Sequence, residues 1–195
     1  MKHPKKITLP TYLTLFRLIG APSLVPFFMV HYASYNNFMI NLSIAFLFLF
    51  FGFTDFLDGF FARKYSQESQ LGATLDHLAD KFMTFSALVG LLAIGKLSYI
   101  WVLLLVGREF FVMGLREIAL EHTMSIKVSS FGKLKTATHI VLIAWIIINP
   151  AHGQLNLFWN GIEAILLAAS LIISWASALQ YFSAFYIQLK KIERF

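Results

Sequence analysis

DFLDGFFARKYSQESQLGATLDHLAD, residues Asp55 to Asp80, contains all four aspartates of the chain. An apolar run precedes the stretch, from about Phe38 to Phe53, and another overlaps its end, from about Leu78 to Ile94. It is therefore the join between two helices. At roughly 100° per residue, Asp55 and Asp58 share a face of the first helix, and Asp76 and Asp80 share a face of the second. If the segment from Arg63 to Leu71 brings the helices back antiparallel, the carboxylates converge, and like charges so close need cations to stay ionised. Hard oxygen ligands select Mg²⁺, Mn²⁺ or Ca²⁺, and Mg²⁺ held this way keeps positions for water and substrate phosphate. The pattern points to phosphoryl transfer.

Hydrophobic residues make up 58% of the chain and charged ones only 13%, with a mean hydropathy of +0.69. That is more apolar surface than a soluble domain of 195 residues requires. Further runs approach the ~20 apolar residues of a spanning helix: Tyr12 to Val30, Tyr99 to Ala119, Ala137 to Ile148 with a start about one turn earlier, and Gly161 to Phe185. The fold expected is all-α, a polytopic membrane protein with six transmembrane helices. Lys2 to Pro10 reads as an interfacial segment. With no internal repeat and no dividing linker, residues 1–195 form one domain.

Basic residues alternate by loop. Lys2, Lys5, Lys6, Arg63, Lys64, Lys127, Lys133, Lys135, Lys190, Lys191 and Arg194 fall on one side, and only Lys96 falls on the other. The positive-inside rule then puts both termini and the aspartates at the cytosolic face. The formal charge of +6 suits anionic headgroups and phosphorylated substrates rather than nucleic acid, because these residues border apolar spans. The absence of cysteine excludes disulfides and thiolate chemistry.

Small residues complete the acidic stretch. Gly59 and Ala62 leave room for a substrate beside the backbone, and Gly72 permits a close helix crossing; each is also an ordinary packing residue. His77 reads as structural or as a support to the ligands. Written as a pattern, the stretch is DxxDGxxAR, eight residues, then GxxxDxxxD. It resembles the signature of the CDP-alcohol phosphatidyltransferase family at every fixed position. The likeness extends to GREFFVMGLRE at Gly107 to Glu117, VSSFGKLKT at Val128 to Thr136 and SALQY at Ser177 to Tyr181. These look like segments of the bacterial members that use glycerol 3-phosphate. Where such members commonly show PNxLTxxR, this chain has Thr11 in place of the Asn and keeps Thr14 and Arg17.

The resemblance implies a six-helix homodimer in the bacterial cytoplasmic membrane, taking CDP-diacylglycerol and glycerol 3-phosphate with a pair of Mg²⁺ or Mn²⁺ ions. Asp55, Asp58 and Asp76 become metal ligands, Asp80 the candidate general base with coordination as well, and Gly59, Ala62, Arg63 and Gly72 the CDP-lipid contacts. Arg108 and Arg116 are eight apart, roughly 80° around a helix, and Lys133 and Lys135 start the fifth span on the same side. These four are the expected cradle for the acceptor phosphate. The same residues also read as interfacial charges and topology signals. Two other readings compete: a same-family transferase with another alcohol acceptor, and a divalent-cation transporter, which would need midplane ligands and access from both sides.

Overall fold

The computed structural model describes residues 9–33, 37–64, 70–124, 131–150, 154 and 156–192. Six helices occupy them: α1 (Leu9–Tyr32), α2 (Phe38–Lys64), α3 (Gln70–Ala93), α4 (Tyr99–Glu121), α5 (Phe131–Ile148) and α6 (Leu157–Ile192). No strand occurs among the described residues. The chain is all-α, as its apolar periodicity requires. Thr14–Tyr32 and Leu157–Lys190 are long and apolar enough to cross a membrane, while Phe38–Thr54 and Leu134–Ile148 are shorter apolar helices.

Each helix outruns its apolar core. α2 continues through both aspartates to Lys64, and α3 starts at Gln70 rather than near Leu78, because polar side chains at helical spacing leave the backbone ladder intact. The Lys2 to Pro10 expectation falls largely outside the described residues.

The chain forms two compact units, Met1–Leu97 with Ile143–Gln154, and Ser98–Leu142 with Leu155–Phe195. In the first, α1 packs chiefly on α3 and also on α2. Arg17, Ala21, Val25 and Met29 recur every fourth residue along α1, and all are fully buried. On α3 the matching stripe is Ala79, Met83, Ala87 and Leu91. The two helices approach closely at Gly90, where an added Cβ would lie 2.7 Å from Met29 Sδ and 3.3 Å from Pro26 Cα. Gly72, the crossing glycine expected from sequence, has surroundings outside the described residues.

Helix α3 ends on Gly95, whose φ of +72° suits glycine alone at no steric cost. The amide of Gly95 donates to Leu92 O at 3.1 Å and that of Lys96 to Leu91 O at 2.9 Å, the Schellman closure. The turn sends the buried Lys96 side chain to the end of α5, where Nζ donates to Ile147 O at 3.0 Å and Asn149 O at 2.9 Å. A cation placed on the last carbonyls of a helix, which the helix itself does not bond, is the favourable pairing. Lys96 therefore joins two helix ends.

In the second unit α4 packs on α6. The buried stripe of α4 runs Val102, Leu105, Arg108 and Glu109, Val112, Leu115, Ala119, and its Arg108 meets the buried Ser174 and Ser177 of α6, whose small size allows close approach. Leu115, Ala119, Met124 and Phe185 close the lower end of this core. The chain leaves α4 through a second Schellman turn, in which Met124 N donates to Ala119 O at 2.8 Å and Thr123 takes a φ of 54°.

Candidate functional site

Asp55, Asp58, Gly59, Ala62 and Arg63 ride on the final turns of α2, and Gly72, Asp76 and Asp80 on the first turns of α3. For Asp55, Asp58, Gly59, Ala62, Arg63 and Gly72 only the helical backbone is described. Asp76 and Asp80 stand one turn apart, both partly exposed, so their carboxylates share a face.

Arg17 is the side chain that composition did not single out. It sits at the end of the α1 core stripe, fully buried, and its Nη2 donates to Asp76 Oδ1 at 2.6 Å. The Asp76 side chain is 45% exposed. One face of that carboxyl is thus held from the protein interior while the other meets the outside. Because Arg17 meets Asp76 near the start of both helices and Pro26 meets Gly90 near their ends, α1 and α3 run parallel. That parallel register puts a core arginine beside the acidic stretch. A charge-assisted bond of this kind fixes carboxylate direction.

Two exposed carboxylates a turn apart, one oriented by a cation, fit hard-metal coordination in the chemistry of their donors. Among the described residues no three carboxylate or imidazole groups converge, and two of the four expected ligands lie outside the described side chains.

The expected phosphate cradle belongs to the second unit. Arg108 is only 5% exposed. Its Nε donates to Ser174 O at 2.9 Å, its Nη1 to Glu109 Oε1 at 3.1 Å, and its Nη2 to Ser177 Oγ. Lys135, also buried, donates from α5 to the same Glu109 oxygen. Arg108 and Lys135 are thus brought together through Glu109, a residue the sequence pattern did not single out. Arg116, two turns along α4 from Arg108, lies with its guanidinium 5.8 Å from the centroid of the Tyr181 ring, within cation–π range. The Lys133 side chain lies outside the described residues. Ser177 and Tyr181 bracket the SALQY segment, which gives that sequence likeness a structural content: it is the α6 surface that receives the two arginines of α4.

The profile of the CDP-alcohol phosphatidyltransferase family matches residues 7–179. The chain belongs to that family. Among its relatives, the CDP-diacylglycerol--glycerol-3-phosphate 3-phosphatidyltransferase of Salmonella choleraesuis is 35% identical over 185 residues, covering 92% of this chain and 95% of the relative. The protein of the same name from Rickettsia typhi is 31% identical over 176 residues, 90% of this chain and 96% of the relative. That from Salmonella paratyphi A is 36% identical over 186 residues. The family match runs through both compact units, taking in the acidic stretch and the arginine helix alike.

Proposed function

We propose that this transferase moves the phosphatidyl group of CDP-diacylglycerol to glycerol 3-phosphate, yielding phosphatidylglycerophosphate and CMP. The observation that carries the reading is likeness over nine-tenths of the chain to enzymes of that name. The buried cations of α4 and α5 support the choice of acceptor, since a neutral or zwitterionic alcohol would not call for them.

In the reaction a hydroxyl oxygen of glycerol 3-phosphate bonds to the lipid-side phosphorus, the bond from that phosphorus to the CMP oxygen breaks, and CMP leaves with the electron pair. Asp80 takes the hydroxyl proton. A carboxylate is a weak base toward an alcohol, so orientation of the two substrates supplies much of the acceleration. Asp55, Asp58, Asp76 and Asp80 would hold Mg²⁺ or Mn²⁺. Bound there, divalent ions would supply charge neutralisation for the diphosphate and a better CMP leaving group. Arg17 fixes the direction of the Asp76 carboxylate that would be one of the ligands. Gly59, Ala62, Arg63 and Gly72 serve the CDP-lipid, and Arg116, Lys133 and Lys135, with the anchored Arg108, serve the acceptor phosphate.

The surroundings proposed are a bacterial cytoplasmic membrane crossed six times, with both termini and the aspartates inside and the chain paired as a homodimer. Supporting the bilayer are Ile165, Ile172 and Leu179, which recur every seventh residue on α6 at 69%, 69% and 62% exposure, a surface suited to lipid rather than water. Purified protein in detergent, given CDP-diacylglycerol, Mg²⁺ and a panel of alcohol acceptors, is expected to form phosphatidylglycerophosphate with glycerol 3-phosphate and little product with serine or inositol phosphate. A preference for another acceptor overturns the assignment.

A further inference from the structure

We infer that Glu109 is a positioning residue for the acceptor phosphate, gathering Lys135 and Arg108 into a fixed donor set; this rests on the function proposed above. Glu109 is only 6% exposed, and its Oε1 receives both the Lys135 ammonium and Arg108 Nη1. The Arg108 contact does not follow from helix geometry. Successive residues on a helix diverge by about 100° and do not face each other, so the guanidinium has turned back along its own helix. Ser174 O and Ser177 Oγ on α6 hold it there. One carboxylate oxygen thereby joins side chains from α4 and α5, and the arginine carries the connection to α6.

A tie made only for stability has no need of charge at this place. Glu109 and Arg108 lie between Leu105 and Val112 on a stripe that is otherwise apolar, and well-packed hydrophobic residues are commonly as stabilising as a buried ionic set or more so. What ionic groups provide is orientation. Lys135 has a flexible four-carbon stem and freely rotating donors; a buried carboxylate fixes where that ammonium sits before any substrate arrives, which lowers the ordering cost of binding. The carboxylate also opposes an incoming anion. The two effects change acceptor affinity in opposite directions, and the inference is that positioning wins.

The experiment compares the parental protein with Glu109→Gln, which keeps shape and an acceptor oxygen but loses the charge, and Glu109→Asp, which keeps the charge one methylene short. Steady-state CMP release is measured against each substrate in detergent micelles, with thermal unfolding alongside. Glu109→Gln is expected to raise KM for glycerol 3-phosphate about tenfold, the equivalent of one charge-assisted hydrogen bond, and to leave KM for CDP-diacylglycerol within about twofold. Glu109→Asp falls between the parent and Glu109→Gln, and decides the matter alone if Glu109→Gln does not fold. An unchanged or lowered KM for glycerol 3-phosphate, or an equal rise for both substrates, overturns the inference. A parental protein that forms no lipid product from glycerol 3-phosphate refutes the proposed function instead.

Discussion

Replacing Gly90 with alanine tests the α1–α3 crossing that delivers Arg17 to Asp76. The new methyl would lie 2.7 Å from Met29 Sδ, 3.3 Å from Pro26 Cα and 3.4 Å from Pro26 Cβ, against an ordinary carbon contact of about 3.5 to 4.0 Å. Met29 is fully buried, so its sulfur can retreat only into other packed side chains. Leaving its rotamer costs about 0.5–1.5 kcal/mol. Pro26 meets the methyl partly with main chain, which yields less readily, and overpacking of this kind generally costs about 1–3 kcal/mol. Against this stands the gain from alanine over glycine in a helix, about 1 kcal/mol. The balance is a destabilisation of about 1 kcal/mol, or about 2–4 °C in Tm for a chain of this size. Gly107 in α4 is the control, because an added Cβ there meets nothing within 4 Å and only the propensity gain remains. Thermal unfolding of both variants in detergent, followed by tryptophan fluorescence, should show Gly90→Ala below the parent and Gly107→Ala at or above it. Equal stabilisation by both would refute the close crossing.

Lys96→Met is expected to cost about 3 kcal/mol, since charged hydrogen bonds contribute about 1.5–3 kcal/mol and several α5 terminal carbonyls lose their donor; an unchanged Tm would mean that Lys96 does not secure α5. Thr123→Gly should raise Tm, because a β-branched residue at a φ of 54° carries a cost of about 1–2 kcal/mol that glycine escapes; a lower Tm would contradict that turn. Arg116→Ala should raise KM for glycerol 3-phosphate far more than KM for the CDP-lipid, and similar changes in both count against a phosphate role. Asp80→Asn, compared with the parent at equal metal occupancy, should slow turnover by about 10²-fold or more, in line with loss of a general base; near-parental turnover by a variant that binds metal and CDP-lipid normally would remove Asp80 from that role.

How far the sequence carried can be seen at individual positions. Apolar runs located the six described helices because outward-facing and core residues are both hydrophobic, but they stopped short at Leu78 and about one turn before Ala137, where α3 and α5 in fact begin at Gln70 and Phe131. Hydropathy marks the greasy part of a helix, whereas a helix persists through polar residues that suit its backbone. The aspartates stood out since four carboxylates against apolar runs admit few explanations. Glu109 was not. Beside Arg108 it resembles any interfacial charge, and its buried ion pairs appear only when α5 supplies Lys135 and α6 holds Arg108 through Ser177. Arg17 was visible only as the last residue of the PTYLTLFR segment, yet its partner lies 59 residues on, and only the parallel packing of α1 and α3 brings the two together.

The acidic site is tested most directly by counting Mn²⁺ bound to the purified protein by electron paramagnetic resonance, for the parent and for aspartate-to-asparagine variants at 55, 58, 76 and 80. About two ions per chain are expected, as for paired-metal phosphoryl transfer, with marked loss of occupancy at 55, 58 and 76. Parental Mn²⁺ binding in all four variants would contradict a metal-holding role for these aspartates.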